Sequence, residues 1–173
     1  MIFISHGAAA VLATAVYKKI CKQEKTLTMK TIIKMFLFGV LPDMPLNILV
    51  LSNKFNPSIH YHHKWITHTP IFWLAISLVT MKFFSKRLGV ALLVSTWLHL
   101  GMDWYGGADG IPFLYPFTDH QFGMALSGVN GPKGIGIYLS NPFFLFLEIL
   151  VQVMFLVVTL FTIKKEFFTK ENS

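Results

Sequence analysis

Five apolar segments, the first of them short, dominate this chain of 173 residues and limit the folds that are open to it. The chain is 54% hydrophobic and only 13% charged, whereas soluble domains carry about 25% charged residues. Backbone polar groups in hydrocarbon must be satisfied within the segment, which favours helices. The sequence therefore predicts an all-α integral membrane protein, a single domain over residues 1–173 with five transmembrane helices. The predicted spans are Ile2–Tyr17, Thr31–Leu51, His68–Phe84, Leu88–Trp104 and Pro142–Ile163.

The basic residues divide unequally between the two ends of these segments. If all five segments span, twelve basic residues fall on one side and three, Lys54, Lys64 and Lys133, fall on the other. Because basic residues concentrate in cytoplasmic loops, this split predicts an outside N-terminus and a cytoplasmic C-terminus in the cell (inner) membrane. Topology thus accounts for the formal charge of +7, and nucleic acid is not a predicted partner. The twelve are Lys18, Lys19, Lys22, Lys25, Lys30, Lys34, Lys82, Lys86, Arg87, Lys164, Lys165 and Lys170.

Two loops lie on the predicted outer side of the membrane. The loops are Asn53–Thr67 and Tyr105–Asn141, and the glycine-rich Gly128–Gly134 in the second lacks the order of a phosphate-binding loop. The single cysteine, Cys21, excludes an internal disulfide and a cysteine-rich zinc cluster. Four aromatic residues fit a belt at the membrane interface, and they are Trp65, Trp73, Trp104 and Tyr105.

Histidines and aspartates interrupt the apolar segments. His99 and Asp103 are four residues apart, which places both side chains on one face of a helix. A carboxylate in hydrocarbon costs several kcal/mol or more unless it is paired, hydrated or bound to a metal. His6, Asp43, His68 and His99 each lie twelve to fourteen residues from a cytoplasmic basic boundary, or about 18–21 Å at the helical rise. This shared depth predicts one polar centre in the outer half of the bilayer.

Asp43 and the histidines before the third span need separate interpretation. Asp43 lies between Pro42 and Pro45, and prolines break a helix and free backbone carbonyls. The structural alternative is that Asp43 caps a turn. The segment from Ser58 to Thr69, which runs from the first outer loop into the third predicted span, holds four histidines. We expect His68 and His63 to act as ligands, and we expect the other two to be solvated, namely His60 and His62.

Imidazole and carboxylate donors from several helices predict a buried metal site. This donor set favours zinc, with manganese and iron as alternatives. The expected ligands are His6, Asp43, His63, His68, His99 and Asp103.

Taken together, these motifs resemble those of a known family, the membrane-bound metal-dependent hydrolases (YdjM-like). That family has a Thr-His near the N-terminus, a Leu-Pro-Asp-hydrophobic-Asp element, a His-Arg-x-x-Thr-His-Ser element, and an HxxxD motif followed by Gly and Pro-Phe. The resemblance covers residues 5–117. Its counterparts here are Ser5-His6, Leu41-Pro42-Asp43, residues 63–69, His99 with Asp103, Gly110-Ile111-Pro112 and Pro116-Phe117.

Besides Ser5 in place of the threonine, three positions depart from the family pattern. Pro45 replaces the second aspartate, Lys64 replaces an arginine, and Thr69 replaces a serine. Lysine keeps the charge but loses the bidentate fork of arginine. The order of the histidines and aspartates is also similar to that of the zinc-dependent phospholipase C and nuclease superfamily, which implies two or three zinc ions and phosphoester hydrolysis.

The resemblance implies a membrane hydrolase in which metal-activated water attacks a phosphoester. Asp43 or Asp103 would bridge metals or act as the base, and Lys64 would contact phosphate. A site in the outer half of the bilayer favours a phospholipid-like headgroup as substrate, with membrane lipids as partners. Three alternatives remain open. The first is a metal or proton transporter, because intramembrane His and Asp also mark ion pathways. The second is a di-iron oxidase, because His60-Tyr61-His62-His63 is a partial match to a histidine box. The third is a non-catalytic scaffold, in which the polar residues would merely pack.

Overall fold

The computed structural model describes residues 3–22, 27–52, 65–106, 110–123, 136 and 138–171. Over these residues the chain is helical and has no strand apart from one isolated β-bridge. The all-α prediction is therefore confirmed for the described part of the chain. The helices are α1 (Phe3–Ile20), α2 (Met29–Val40), α3 (Met44–Leu51), α4 (Pro70–Phe83), α5 (Lys86–Gly106) and α6 (Pro142–Glu171).

The helix boundaries follow from residues at the first turns. The Thr28 hydroxyl accepts a hydrogen bond from the backbone N–H of Thr31 at 3.2 Å and caps α2. Prolines occupy the first position of α4 and α6, where a missing N–H costs nothing. The Asn141 side chain accepts from the N–H of Phe143 at 3.0 Å, which satisfies one of the free donors of α6.

Two helical segments are long and apolar enough to cross a membrane by length and composition. They are Met29–Leu49, which includes a short 3₁₀ turn, and Pro142–Thr169. Helix α4 is apolar but shorter. Both long segments overlap predicted spans. Helix α6 continues eight residues beyond the predicted end at Ile163, over Lys164–Glu171.

Helix α1 packs against α2, α5 and α6, while α5 also packs against α2 and α4. The α1–α2 contact is close because glycines face each other. A Cβ built on Gly39 would lie 2.7 Å from the carbonyl oxygen of His6 and 2.9 Å from the Cα of Gly7. This approach brings the carbonyl end of α2 beside the first turns of α1.

A loop of residues 110–123 packs against the helices through Ile111. Ile111 and Phe122 exchange two backbone hydrogen bonds of 2.9 Å, and Ile111 packs with Trp73, Leu92 and Leu100 in an apolar cluster. Gly110 adopts φ +71°, a left-handed conformation that suits glycine. Trp73 is only 6% exposed, so its predicted place in an interfacial belt is wrong, because the indole packs inward.

Candidate metal centre

Four segments of the chain bring five of the six predicted ligands together in the interior. Helix α1 carries His6, and α5 carries both His99 and Asp103. A 3₁₀ turn, Leu41–Asp43, carries Asp43 between α2 and α3, and a second, Ile66–His68, carries His68 before α4. All five residues are buried, and Asp43 is the most exposed at 7%.

The two 3₁₀ turns have local causes in the sequence. Pro42 lies in the first turn of Leu41–Asp43, and the Asp43 carbonyl accepts a bond of 2.8 Å from the side-chain amide of Asn47. The second turn precedes Pro70, a residue that disfavours helical geometry at the position before it. The Trp73 indole donates to the Thr67 carbonyl at 2.6 Å and ties the turn to α4. The first turn separates α2 from α3 and the second precedes α4, and each carries one candidate ligand.

Five nitrogen–oxygen distances describe the centre. Asp103 reaches three imidazoles: its Oδ1 lies 3.2 Å from His6 Nε2, and its Oδ2 lies 3.0 Å from His99 Nε2 and 3.7 Å from His68 Nε2. Asp43 Oδ1 lies 3.2 Å from His68 Nε2 and 3.7 Å from His99 Nε2. The rings of His6 and His99 stack with centroids 3.8 Å apart. Two carboxylates and three imidazoles therefore share one small buried volume.

The hydrogen bond of His99 to α2 determines which of its nitrogens faces the centre. Its Nδ1 lies 2.7 Å from the carbonyl oxygen of Gly39, and a carbonyl only accepts, so Nδ1 carries the hydrogen. In the neutral ring Nε2 then holds a lone pair. That nitrogen is buried and makes no hydrogen bond within the described residues, although Asp103 Oδ2 is 3.0 Å away. Two facing acceptors at this distance repel each other unless a metal ion lies between them or Nε2 carries a proton.

The donor atoms fit a divalent ion. Two ligands about 2.1 Å from one ion lie about 3.0 Å apart in octahedral and about 3.4 Å apart in tetrahedral geometry, close to the observed 3.0–3.7 Å. Two sets of three residues each offer three ligand atoms that lie within 4.8 Å of one another. One set is His6, Asp43 and His99, and the other is His68, His99 and Asp103. Both sets use His99. Because a single nitrogen of His99 faces the centre, the two sets describe one ion position more readily than two.

The remaining predicted site residues are not placed. His63 and Lys64 lie outside the described residues, as do His60 and His62. The predictions that His63 is a ligand and that Lys64 contacts phosphate therefore stay predictions.

Sequence reasoning missed two contributors near the centre. One is the Gly39 carbonyl, which no side-chain pattern indicates. The other is Glu148 of α6, which is 2% exposed and accepts a hydrogen bond from Ser5, the residue before His6. A carboxylate inside an apolar segment was a signal for it, by the same reasoning that singled out Asp103.

Comparison with known proteins gives one assignment. No curated protein and no solved structure matches the chain. The similarity to the zinc-dependent phospholipase C and nuclease superfamily therefore stays a prediction. A family model described as YdjM inner membrane protein matches residues 1–170. The match takes in all five clustered ligands and both membrane-capable segments, and the chain belongs to the YdjM inner membrane protein family.

Proposed function

We propose that this protein is a membrane-embedded metal-dependent hydrolase that cleaves phosphoesters. The observation that carries the proposal is the buried cluster of His6, Asp43, His68, His99 and Asp103, whose donor atoms are spaced as ligands of a divalent ion. A cluster of two carboxylates in the interior is costly without a compensating cation. The cluster is therefore better explained as a binding site than as packing.

Zinc is the metal that we propose. Imidazole nitrogens with carboxylate oxygens are typical zinc ligands in catalytic sites, and manganese and iron accept the same donors. The Gly39 carbonyl would orient His99 as outer partners of metal-ligating histidines commonly do. The other histidines with described positions at the centre, His6 and His68, also present Nε2 to the carboxylates.

The proposed chemistry divides between the ion and the protein. A bound divalent ion would lower the pKa of its coordinated water and would polarise a phosphoryl oxygen of the substrate. Asp103 holds both of its oxygens toward the centre, and Asp43 directs Oδ1 toward the same place. Either carboxylate is suited to accept the proton of the attacking water. Lys64 would add a positive charge for the phosphate.

We further propose five spans with the N-terminus outside. The twelve-to-three division of basic residues supports this orientation. Helix α1 has 18 residues and α5 has 21, which is about 27 and 32 Å of helix. In this arrangement the centre lies in the outer half of the bilayer, at a depth that a lipid headgroup reaches. A phospholipid-like phosphoester is therefore the proposed substrate class.

The test is hydrolysis by purified protein in detergent or lipid discs, using phosphodiester and phosphomonoester model substrates. We expect activity that a chelator removes and zinc restores, and we expect Asp103→Asn to lose it. His120→Ala is the matched control, since His120 is exposed and belongs to none of the ligand sets. Activity that is indifferent to chelation and to Asp103→Asn would refute the proposal. Proton-coupled metal flux through vesicles without phosphoester turnover would instead support a transporter.

A further inference from the structure

Helix α6 carries a buried carboxylate although most of its large apolar residues are exposed. Most of its large apolar residues face outward, with Phe146 at 59%, Val153 at 53% and Phe161 at 73% exposure. Glu148 is 2% exposed in the same helix. Burying a carboxylate in an apolar helix is expensive unless specific partners compensate. The partners of Glu148 therefore indicate what the residue is for.

Both carboxylate oxygens of Glu148 accept hydrogen bonds from hydroxyl groups. Oε1 accepts from the Tyr138 phenol at 2.7 Å, and Oε2 accepts from the Ser5 hydroxyl. Gln152, one turn further along α6, donates its amide to the Ser5 oxygen at 3.3 Å. Burial and the hydrogen bond to Glu148 raise the pKa of Tyr138, so the phenol remains protonated and keeps donating.

These bonds hold the first turn of α1. Helix α1 is described from Phe3, so Ser5 and His6 lie in its first described turn. Ser5 is fully buried between Glu148 and Gln152, which stand one turn apart on α6. His6 follows Ser5 directly and has Nε2 3.2 Å from Asp103 Oδ1. Any displacement of Ser5 therefore moves His6 relative to the centre.

We propose that Glu148 is a positioning residue that fixes His6 at the metal centre through Ser5. We call the group of Ser5, Tyr138, Glu148 and Gln152 the clasp. The Gln152 amide donates to the Ser5 oxygen, so the Ser5 hydroxyl hydrogen points to Glu148. The Tyr138 phenol donates to the other carboxylate oxygen of Glu148. The inference rests on the proposed function in that the centre must bind a metal. It adds a residue from α6, a helix that contributes no ligand to the described sets.

The first experiment measures zinc affinity of the purified full-length protein by competition with a chromophoric chelator. We expect Ser5→Ala and Glu148→Ala each to weaken zinc binding about tenfold or more, as loss of an outer-shell partner does. The double variant should be no weaker than the worse single variant, because both residues act through one contact. Additive losses in the double variant would overturn the clasp.

The second experiment reads the environment of the ion. Co²⁺ replaces zinc, and its visible absorption reports the ligand set. We expect Glu148→Ala to shift this spectrum in the same direction as His6→Ala. Thr162→Val is the matched control, because Thr162 is a buried polar residue of α6 whose hydroxyl donates to the Val158 carbonyl of its own helix. It should leave both the affinity and the spectrum unchanged.

The possible failures are distinguishable. Absence of metal binding by the wild-type protein would refute the proposed function itself. A second outcome would overturn this inference alone. In that outcome the wild-type protein binds zinc and His6→Ala weakens the binding, but the Ser5 and Glu148 variants bind zinc as the wild type does. If Glu148→Ala does not fold, Glu148→Gln and Tyr138→Phe are used in its place, because both substitutions nearly preserve the size of the side chain. Both should weaken zinc binding, and unchanged affinity in both would overturn the clasp.

Discussion

His99 Nε2 lies 3.0 Å from Asp103 Oδ2, one turn further along α5, and both side chains are buried. The pair stands within a continuous helix of 21 residues, so its spacing does not depend on how the other helices pack. His6, Asp43 and His68 come from other segments and reach the pair by tertiary contacts. Helix α5 thus holds two of the candidate ligands at a helical spacing, and α1 and the two 3₁₀ turns bring the other three.

Removal of either member of this pair should release the metal. We expect His99→Ala and Asp103→Ala each to lower zinc retention at least tenfold, because each truncation removes a ligand from the shared centre. Metal content of the purified variants, measured by elemental analysis, checks this. His120→Ala should retain the wild-type content, since its side chain is exposed. Full retention in both ligand variants would mean that the metal, if present, lies elsewhere.

Gly39 should not tolerate a side chain. A Cβ there would lie 2.7 Å from the His6 carbonyl oxygen, and the Gly39 carbonyl itself accepts from His99. We expect Gly39→Ala to destabilise the fold by about 1–3 kcal/mol through overpacking and to weaken zinc binding. Thermal unfolding in detergent and chelator competition measure the two effects.

Gly101→Ala is the matched control for Gly39→Ala. Gly101 also lies within a helix, but a Cβ there meets nothing within 4 Å. Alanine is favoured over glycine in a helix interior by about 1 kcal/mol. We therefore expect Gly101→Ala to be neutral or stabilising and to keep zinc affinity. Equal behaviour of the two variants would show that the α1–α2 contact is looser than the structure has it.

The contributors that were predictable from sequence are those with a local signature. His99 and Asp103 follow from i,i+4 spacing, and Asp43 follows from its flanking prolines. His6 has no such motif, and its shared depth with the others was the main indication. The Gly39 carbonyl and the inward packing of Trp73 depend on the distance between helices, which hydropathy does not encode. Glu148 was detectable as an intramembrane carboxylate, but its partner Ser5 is 143 residues away.

The orientation in the membrane is testable with two reporters. A reporter fused after Ser173 should read cytoplasmic, and one inserted in Gly128–Gly134, outside the described residues, should read external. The reason is the concentration of basic residues on the proposed cytoplasmic side. Opposite readings at both points would place the centre in the cytoplasmic half of the bilayer and replace an outer-leaflet substrate with an inner-leaflet one.

Asp43→Asn separates the charge of the carboxylate from its shape. The substitution keeps the size of the side chain and the backbone carbonyl that accepts from Asn47, so we expect the fold to persist. The amide lacks the negative charge that faces His68 and His99 at 3.2 and 3.7 Å. We therefore expect at least a hundredfold loss of phosphoester hydrolysis, in line with the roughly 10²–10⁴-fold contribution of a positioned acid or base. Thermal unfolding of the variant provides the folding control, and wild-type turnover by a folded Asp43→Asn protein would remove Asp43 from the mechanism.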